Sequence, residues 1–215
     1  MTILGVTPAR GGSQGIPRKN VQLLCGKPLL AWTIEAAKAS QLLTRYVVST
    51  EDREIAAIAS QWQAEVMERP AALATDEATT LSVLQHVLAH EKADVVVLLQ
   101  ATCPIRDAGL IDRCIQQFLD RGAESLATGF ICKYQAYGAL GREVRRQELP
   151  GFFYDDGNVY VIQADLIRAG ERYGTRMERM LISREQHIDI DDAFDLWVAE
   201  QVLQRRLAEP SLSRP

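Results

Sequence analysis

The chain has 215 residues, 47% apolar and 24% charged, enough for one sizeable core in the ordinary globular range. A formal net charge of −4 argues against a nucleic-acid or membrane binder, which needs a surplus of Lys and Arg, and no apolar run approaches the ~18 residues of a membrane span. Four cysteines, at 25, 103, 114 and 132, make no Cys-x-x-Cys pair and no zinc-like cluster; with no secretory leader pattern at the N-terminus, a cytoplasmic protein with reduced thiols is expected.

Short β-branched runs alternate with stretches of helical period, the pattern of a parallel sheet with crossover helices. A first strand is expected at 2–7, then a glycine-rich loop, Thr7-Pro-Ala-Arg-Gly-Gly-Ser-Gln-Gly-Ile-Pro-Arg-Lys-Asn20. A helix follows Pro28, with Leu29, Leu30, Thr33, Ile34 and Ala37 on one face. Next come a strand at 46–49, a helix after Thr50, a strand at 64–67 and a helix after Thr79 carrying Leu81, Leu84 and Leu88. The run 95–99 is apolar at every position and should be a central strand covered on both faces. A helix after Asp107 and a strand at 125–128 come next, and residues 130–156 then read as an insertion or flap. Strands at 159–162 and 180–183 and a helix at 193–207 complete a single domain spanning 1–208, with a loose tail at 209–215.

In open α/β sheets, ligands sit beyond the carboxyl ends of the strands, and the loop after the first strand is a common place for phosphates. Gly11, Gly12 and Gly15 let backbone amides approach an anion, and Arg10, Arg18 and Lys19 supply positive charge before the first acid, Glu35. The spacing fits neither Gly-x-x-x-x-Gly-Lys-Ser/Thr nor Gly-x-Gly-x-x-Gly, where Ser13 stands at the second glycine, so a P-loop enzyme or a dinucleotide-binding dehydrogenase is not supported.

The stretch from Pro8 to Asn20 resembles the N-terminal nucleotide-binding motif of the acylneuraminate cytidylyltransferases. Further resemblances follow in order: Glu68-Arg-Pro-Ala-Ala-Leu-Ala-Thr-Asp76, Leu98-Leu-Gln-Ala-Thr-Cys-Pro-Ile-Arg106, Arg145-Arg-Gln-Glu-Leu-Pro150 with Gly157-Asn-Val-Tyr160, and Ile188-Asp-Ile-Asp191. The resemblance implies a three-layer, Rossmann-like nucleotide-diphospho-sugar transferase fold, with a mostly parallel sheet and a small dimerisation arm within residues 130–184. It also implies a homodimer that joins CTP to a 2-keto sugar acid with Mg2+ as cofactor and no nucleic-acid or membrane partner.

By the same resemblance, Arg10 and Lys19 neutralise the triphosphate, while Ala9, Gly11, Gly12, Ser13 and Asn20 help to hold the nucleotide and Arg69, Ala78 and Thr80 contact the cytidine. Gln100, Arg146, Tyr160 and Tyr173 fall to the sugar, Arg146 because its planar fork suits a carboxylate. Asp189 and Asp191 are two apart, so on an extended segment their carboxylates face one side, as a hard cation requires; both are assigned to the metal and, with Arg10 and Lys19, to catalysis. Asp192 is assigned to the helix start.

Three departures from the family pattern stand out. Gln14 replaces an expected lysine, with Arg18 as a candidate compensating cation; at 172–173 only Tyr173 is aromatic where sialic-acid members offer a pair, and Asp155-Asp156-Gly157-Asn158 replaces Asn-Gly-Ala. The last two point to a nonulosonic acid other than N-acetylneuraminate. His86 and His90, four apart without a following Glu, read as exposed, Cys103 as a small loop residue, and Trp32, Trp62 and Trp197 as helical packing residues. A CMP-octulosonate synthetase, a glycosyltransferase using Asp189-Ile-Asp191, and a non-catalytic sugar-nucleotide sensor are the rival readings.

Overall fold

The structure, a computed structural model, describes residues 1–134, 136–137 and 144–209; the expected tail beyond 209 and part of the expected flap lie outside them. In chain order the strands are β1 (Ile3–Pro8), β2 (Leu23–Leu24), β3 (Lys27–Pro28), β4 (Arg45–Thr50), β5 (Glu65–Glu68), β6 (Val95–Leu99), β7 (Ser125–Cys132), β8 (Phe152–Gln163) and β9 (Met177–Leu181). The helices are α1 (Leu29–Ala39), α2 (Arg53–Gln61), α3 (Thr80–His90), α4 (Leu110–Asp120), α5 (Ala164–Arg168) and α6 (Ala193–Ala208). No helix among the described residues is long and apolar enough to cross a membrane.

Seven strands make one mixed sheet in the order β5-β4-β1-β6-β8-β7-β9. β5, β4, β1 and β6 run parallel, so Glu68, Thr50, Pro8 and Leu99 all end at the same edge. β8 is antiparallel to β6 and to β7, and β9 pairs parallel with β7. Side-chain alternation divides each central strand between two layers. Ile3, Val95, Val97 and Leu99 pack with α1, α2 and α4 on one face, whereas Leu4, Val6, Val96 and Leu98 pack with α3 and α5 on the other. Each of these fully buried aliphatic side chains contributes about 1.5–3 kcal/mol, which is why an all-apolar run fixes β6 at the centre.

The helix starts follow local chemistry. Asp52 caps α2 through Glu54 and Ile55, and Thr79 caps α3 through Ser82. Asp192 forms a capping box with Asp195 at α6, as expected for the helix-start acid. α4 begins at Leu110 with Gly109 as the residue before it, and Asp107 pairs with Arg206 at 2.8 Å.

The structure trims the expected insertion at both ends: β7 continues to Cys132 and β8 begins at Phe152, and the two pair antiparallel. Their register shifts between Ala127 and Gly129, where Asp156 to Val159 bulge out of β8. The departure at 155–158 is what builds this bulge. Asp156 accepts from Thr128 Oγ1 at 2.7 Å, Gly157 takes a positive φ, and fully buried Asn158 donates from Nδ2 to the carbonyls of Ile105 and Gln186. Buried Asn158 therefore ties β8 to the segments before α4 and α6.

Of the three tryptophans, Trp32 packs in α1 and donates to the Leu24 carbonyl, and Trp62 is the residue after α2. Trp197 corrects the packing expectation: it is 56% exposed beside Phe194, since its face of α6 looks away from the core. His90 is exposed and His86 half-buried, their rings 4.6 Å apart. All four cysteines are free.

Candidate active site

A cleft of about 550 Å³ opens where the parallel strands end. Its lining takes Arg10, Ser13, Gln14, Gly15, Lys19 and Asn20 from the glycine loop, Arg69 from after β5, and Thr75, Asp76, Ala78 and Thr80 from the segment leading into α3. Gln100 and Thr102 from after β6, and Asp191, close the other end.

The loop is shaped by its own contacts. Asn20, buried in a 3-10 turn at Lys19–Val21, donates from Nδ2 to the Arg10 carbonyl at 3.0 Å, closing the loop on itself. Gly15 lies against the Asp191 backbone, where an added Cβ would stand 2.0 Å from the Asp191 carbonyl oxygen. The Gly11 amide donates to Glu51 Oε1 at 2.7 Å, and Glu51 Oε2 accepts Nε and Nη2 of Arg69 at 3.0 and 2.9 Å. One carboxylate thus fixes both the loop and the buried Arg69 side chain.

Arg10 reaches the rim: Nη1 donates to the Thr75 carbonyl and Nη2 pairs with Asp76, both at 2.8 Å. Lys19, whose side chain is 13% exposed, donates from Nζ to the Ile190 carbonyl and lies 3.3 Å from Asp191 Oδ1. Ile190 is fully buried in a third apolar cluster with Leu24, Leu29 and Ile105, so Asp189 and Asp191 on either side turn the opposite way. Asp189 is exposed as a residue, yet desolvation by the adjoining wall holds its carboxyl above the ordinary carboxylate range. Hydrogen bonding from Thr102 opposes the rise, and the neighbouring Asp191 charge adds to it. Asp189 Oδ2, Cys103 Sγ and the Gln100 side chain all surround Gly157 within 4 Å of where its Cβ would be. Burial pushes the Cys103 thiol well up, which fits a packed loop residue and not a nucleophile.

The structure brings Arg10, Ser13, Lys19, Asn20, Arg69, Ala78, Thr80, Gln100 and Asp191 into one cleft, with Asp189 beside its Gln100 end. Tyr160 pairs across from Leu98 and donates from Oη to Asp155 at 2.6 Å; burial raises its pKa first, and that hydrogen bond adds to the rise. Other expected contacts lie elsewhere. Ala9 is fully buried with its amide given to the Ser49 carbonyl, the Gly11 amide is taken by Glu51, and Gly12 is exposed with open space around it. Arg146 lines a separate hollow with Lys133, Tyr134, Arg184 and His187, and Tyr173 is exposed beyond the cleft with Arg172 beside its ring.

Arg18 does not compensate for Gln14. It takes a left-handed turn, φ 58°, and its guanidinium pairs with Asp52 at 2.5 Å and with Glu54, while the pair holds Asp52 down to about 2. Its charge pins the loop to α2. Sequence reasoning also missed Glu51, Asp76 and Arg106, which earn their places through partners distant in the chain. Arg106 donates to Thr33 Oγ1 and to the carbonyls of Gln100 and Asn158, locking the floor of the cleft.

The class of fold follows from this arrangement: a mostly parallel, mixed sheet with a basic, glycine-built cleft at the carboxyl edge of its parallel strands is Rossmann-like, of the kind seen in solved nucleotidyltransferases. CMP:2-keto-3-deoxy-manno-octonic acid synthetase complexed with CTP shares it, with a TM-score of 0.76 over 96% of this chain and 100% of that one at 15% identity, a likeness of fold. The cytidylyltransferase family profile matches residues 4–137, and the chain belongs to that family. It is 38% identical to the N-acylneuraminate cytidylyltransferase of Escherichia coli over 95% of this chain and 52% of that protein. It is 31% identical to the CMP-N,N'-diacetyllegionaminic acid synthase of Legionella pneumophila over 95% of this chain and 97% of that one. The chain spans about half the length of the N-acylneuraminate cytidylyltransferases it matches.

Proposed function

We propose that the chain activates a nonulosonic acid with CTP, giving a CMP-sugar and pyrophosphate. The observation that carries this reading is the meeting of Arg10, Lys19 and Arg69 with Gln100 and Asp191 in one cleft at the carboxyl edge of the sheet. In the reaction the sugar's anomeric hydroxyl forms a bond to the α-phosphorus, and the bond from that phosphorus to the bridging oxygen breaks, releasing pyrophosphate. Arg10 and Lys19 neutralise the triphosphate and the charge that builds on the leaving group. Ala78 and Thr80 leave room for a pyrimidine beside Arg69, and Gln100 orients the sugar at the other end.

Two carboxylates, Asp189 and Asp191, would hold Mg2+. Two carboxylates set two residues apart suit a hard ion that completes its shell with phosphates and water. When bound, it would polarise the phosphate oxygens and lower the pKa of the attacking hydroxyl. The likeness to the legionaminic acid synthase over nearly its whole length, and the single aromatic Tyr173, support a nonulosonic acid other than N-acetylneuraminate.

The test is a pyrophosphate-release screen of nonulosonic and octulosonic acids with CTP, and with UTP and ATP as controls. Release with CTP and a nonulosonic acid, abolished by chelating Mg2+, is expected. Reaction with UTP but not CTP would overturn the base assignment, and reaction with octulosonic acid alone would overturn the sugar assignment.

We also read the chain as a homodimer. The outer part of the β7–β8 hairpin exposes Phe152 and Tyr154 on one face of the sheet and Ile131, with Leu181 of β9, on the other, apolar surface suited to burial against a second copy. Sedimentation equilibrium should give twice the monomer mass, and Tyr154→Glu should shift it towards monomer. A monomeric wild-type chain at micromolar concentration would remove the reading.

A further inference from the structure

The two cations that a triphosphate would use are paired with carboxylates of the cleft itself, Lys19 with Asp191 and Arg10 with Asp76. The second pair is the unusual one, because Asp76 belongs to the rim. The rim runs from Pro70 to Thr79 as a short 3-10 turn followed by a turn closed by the Ala78 amide on the Thr75 carbonyl. Within residues 71–77 the backbone bonds are local, and nothing in the 3-10 turn is buried. Among the described residues, the polar contacts from this stretch to the body are those made by Arg10 and Gln14: Arg10 to Thr75 and Asp76, and Gln14 Nε2 to Asp76 Oδ2 at 2.6 Å. One carboxylate therefore fastens the rim to the glycine loop by both of its oxygens.

We propose that Asp76 is a positioning residue that serves as the cleft's own counter-ion: it holds Arg10 while the site is empty and gives it up to the triphosphate, unlatching the rim. This rests on the nucleotide reading given above. The pair suits such an exchange, since Arg10 and Asp76 side chains are 33% and 58% exposed and a half-exposed ion pair is weak. A polyphosphate offers Arg10 more charge than one carboxylate and competes for the same fork. Gln14 also finds a use here. Its neutral amide orients Asp76 without adding a second cation that would hold the carboxylate in place.

The test measures CTP binding calorimetrically, at fixed magnesium, for the wild type, Asp76→Asn and Asp76→Glu. Removing the charge should tighten CTP about two- to fivefold at low salt, with the change falling on the KM for CTP and not on kcat. Asp76→Glu, which restores the charge, should return affinity towards wild type. The ratio between wild type and Asp76→Asn should approach one as salt screens the latch. Equal or weaker CTP binding by Asp76→Asn at low salt would overturn the latch while leaving the nucleotide reading in place. Failure of both wild type and variant to bind any nucleoside triphosphate would overturn the two together.

Discussion

Changing Lys19 to methionine is expected to lower kcat/KM about 100- to 1,000-fold, the scale seen when one preorganised donor to developing charge is lost. Methionine keeps the length and apolar stem but removes the charge. The large effect comes from placement. The left-handed turn at Arg18 and the 3-10 turn after it send the Lys19 side chain inward until it is only 13% exposed, against the Ile190 carbonyl and Asp191. Its attraction for a polyphosphate is screened less there than at the surface. A steady-state assay of pyrophosphate release decides it, alongside a thermal melt to show that the fold persists. Turnover within threefold of wild type would remove Lys19 from the triphosphate site.

Gly15→Ala carries the second large effect. The new Cβ would stand 2.0 Å from the Asp191 carbonyl oxygen and 3.2 Å from its carbon, so loop and α6 entry must separate by about 1 Å. The strain should cost about 1–3 kcal/mol of stability, as overpacking does. Activity should fall about 100-fold, because the separation moves Lys19 and Asp191 apart. Gly12→Ala is the matched control: nothing lies within 4 Å of its Cβ position, and it should remain close to wild type in both respects. If the two variants behave alike, the packing of Gly15 on Asp191 is not what shapes the cleft.

The sheet's parallel half was legible because burial forces a pattern: Val95 to Leu99 are covered on both faces, and α1 shows its buried positions at helical spacing. The outer β7–β8 hairpin was not, since Ile131, Phe152 and Tyr154 are exposed and no alternation between core and solvent marks them as strand. The two-residue strands β2 and β3 are too short for any periodicity to show. At the site, loop residues were readable from their order in the chain, and Arg10, Lys19 and Asn20 do line one cleft. What order cannot convey is where a charge is spent. Arg18 looks equivalent to Lys19 in sequence, but its partners Asp52 and Glu54 stand more than thirty residues away.

The carboxylate of Glu51 ties two specificities into one. Because Gly11 and Arg69 lean on its separate oxygens, the loop assigned to the phosphates and the residue assigned to the base share a single anchor. Any drift in nucleobase choice made through Arg69 would loosen the glycine loop as well, unless a new donor took the vacated oxygen. The two halves of the proposed nucleotide site are therefore constrained to evolve as one unit.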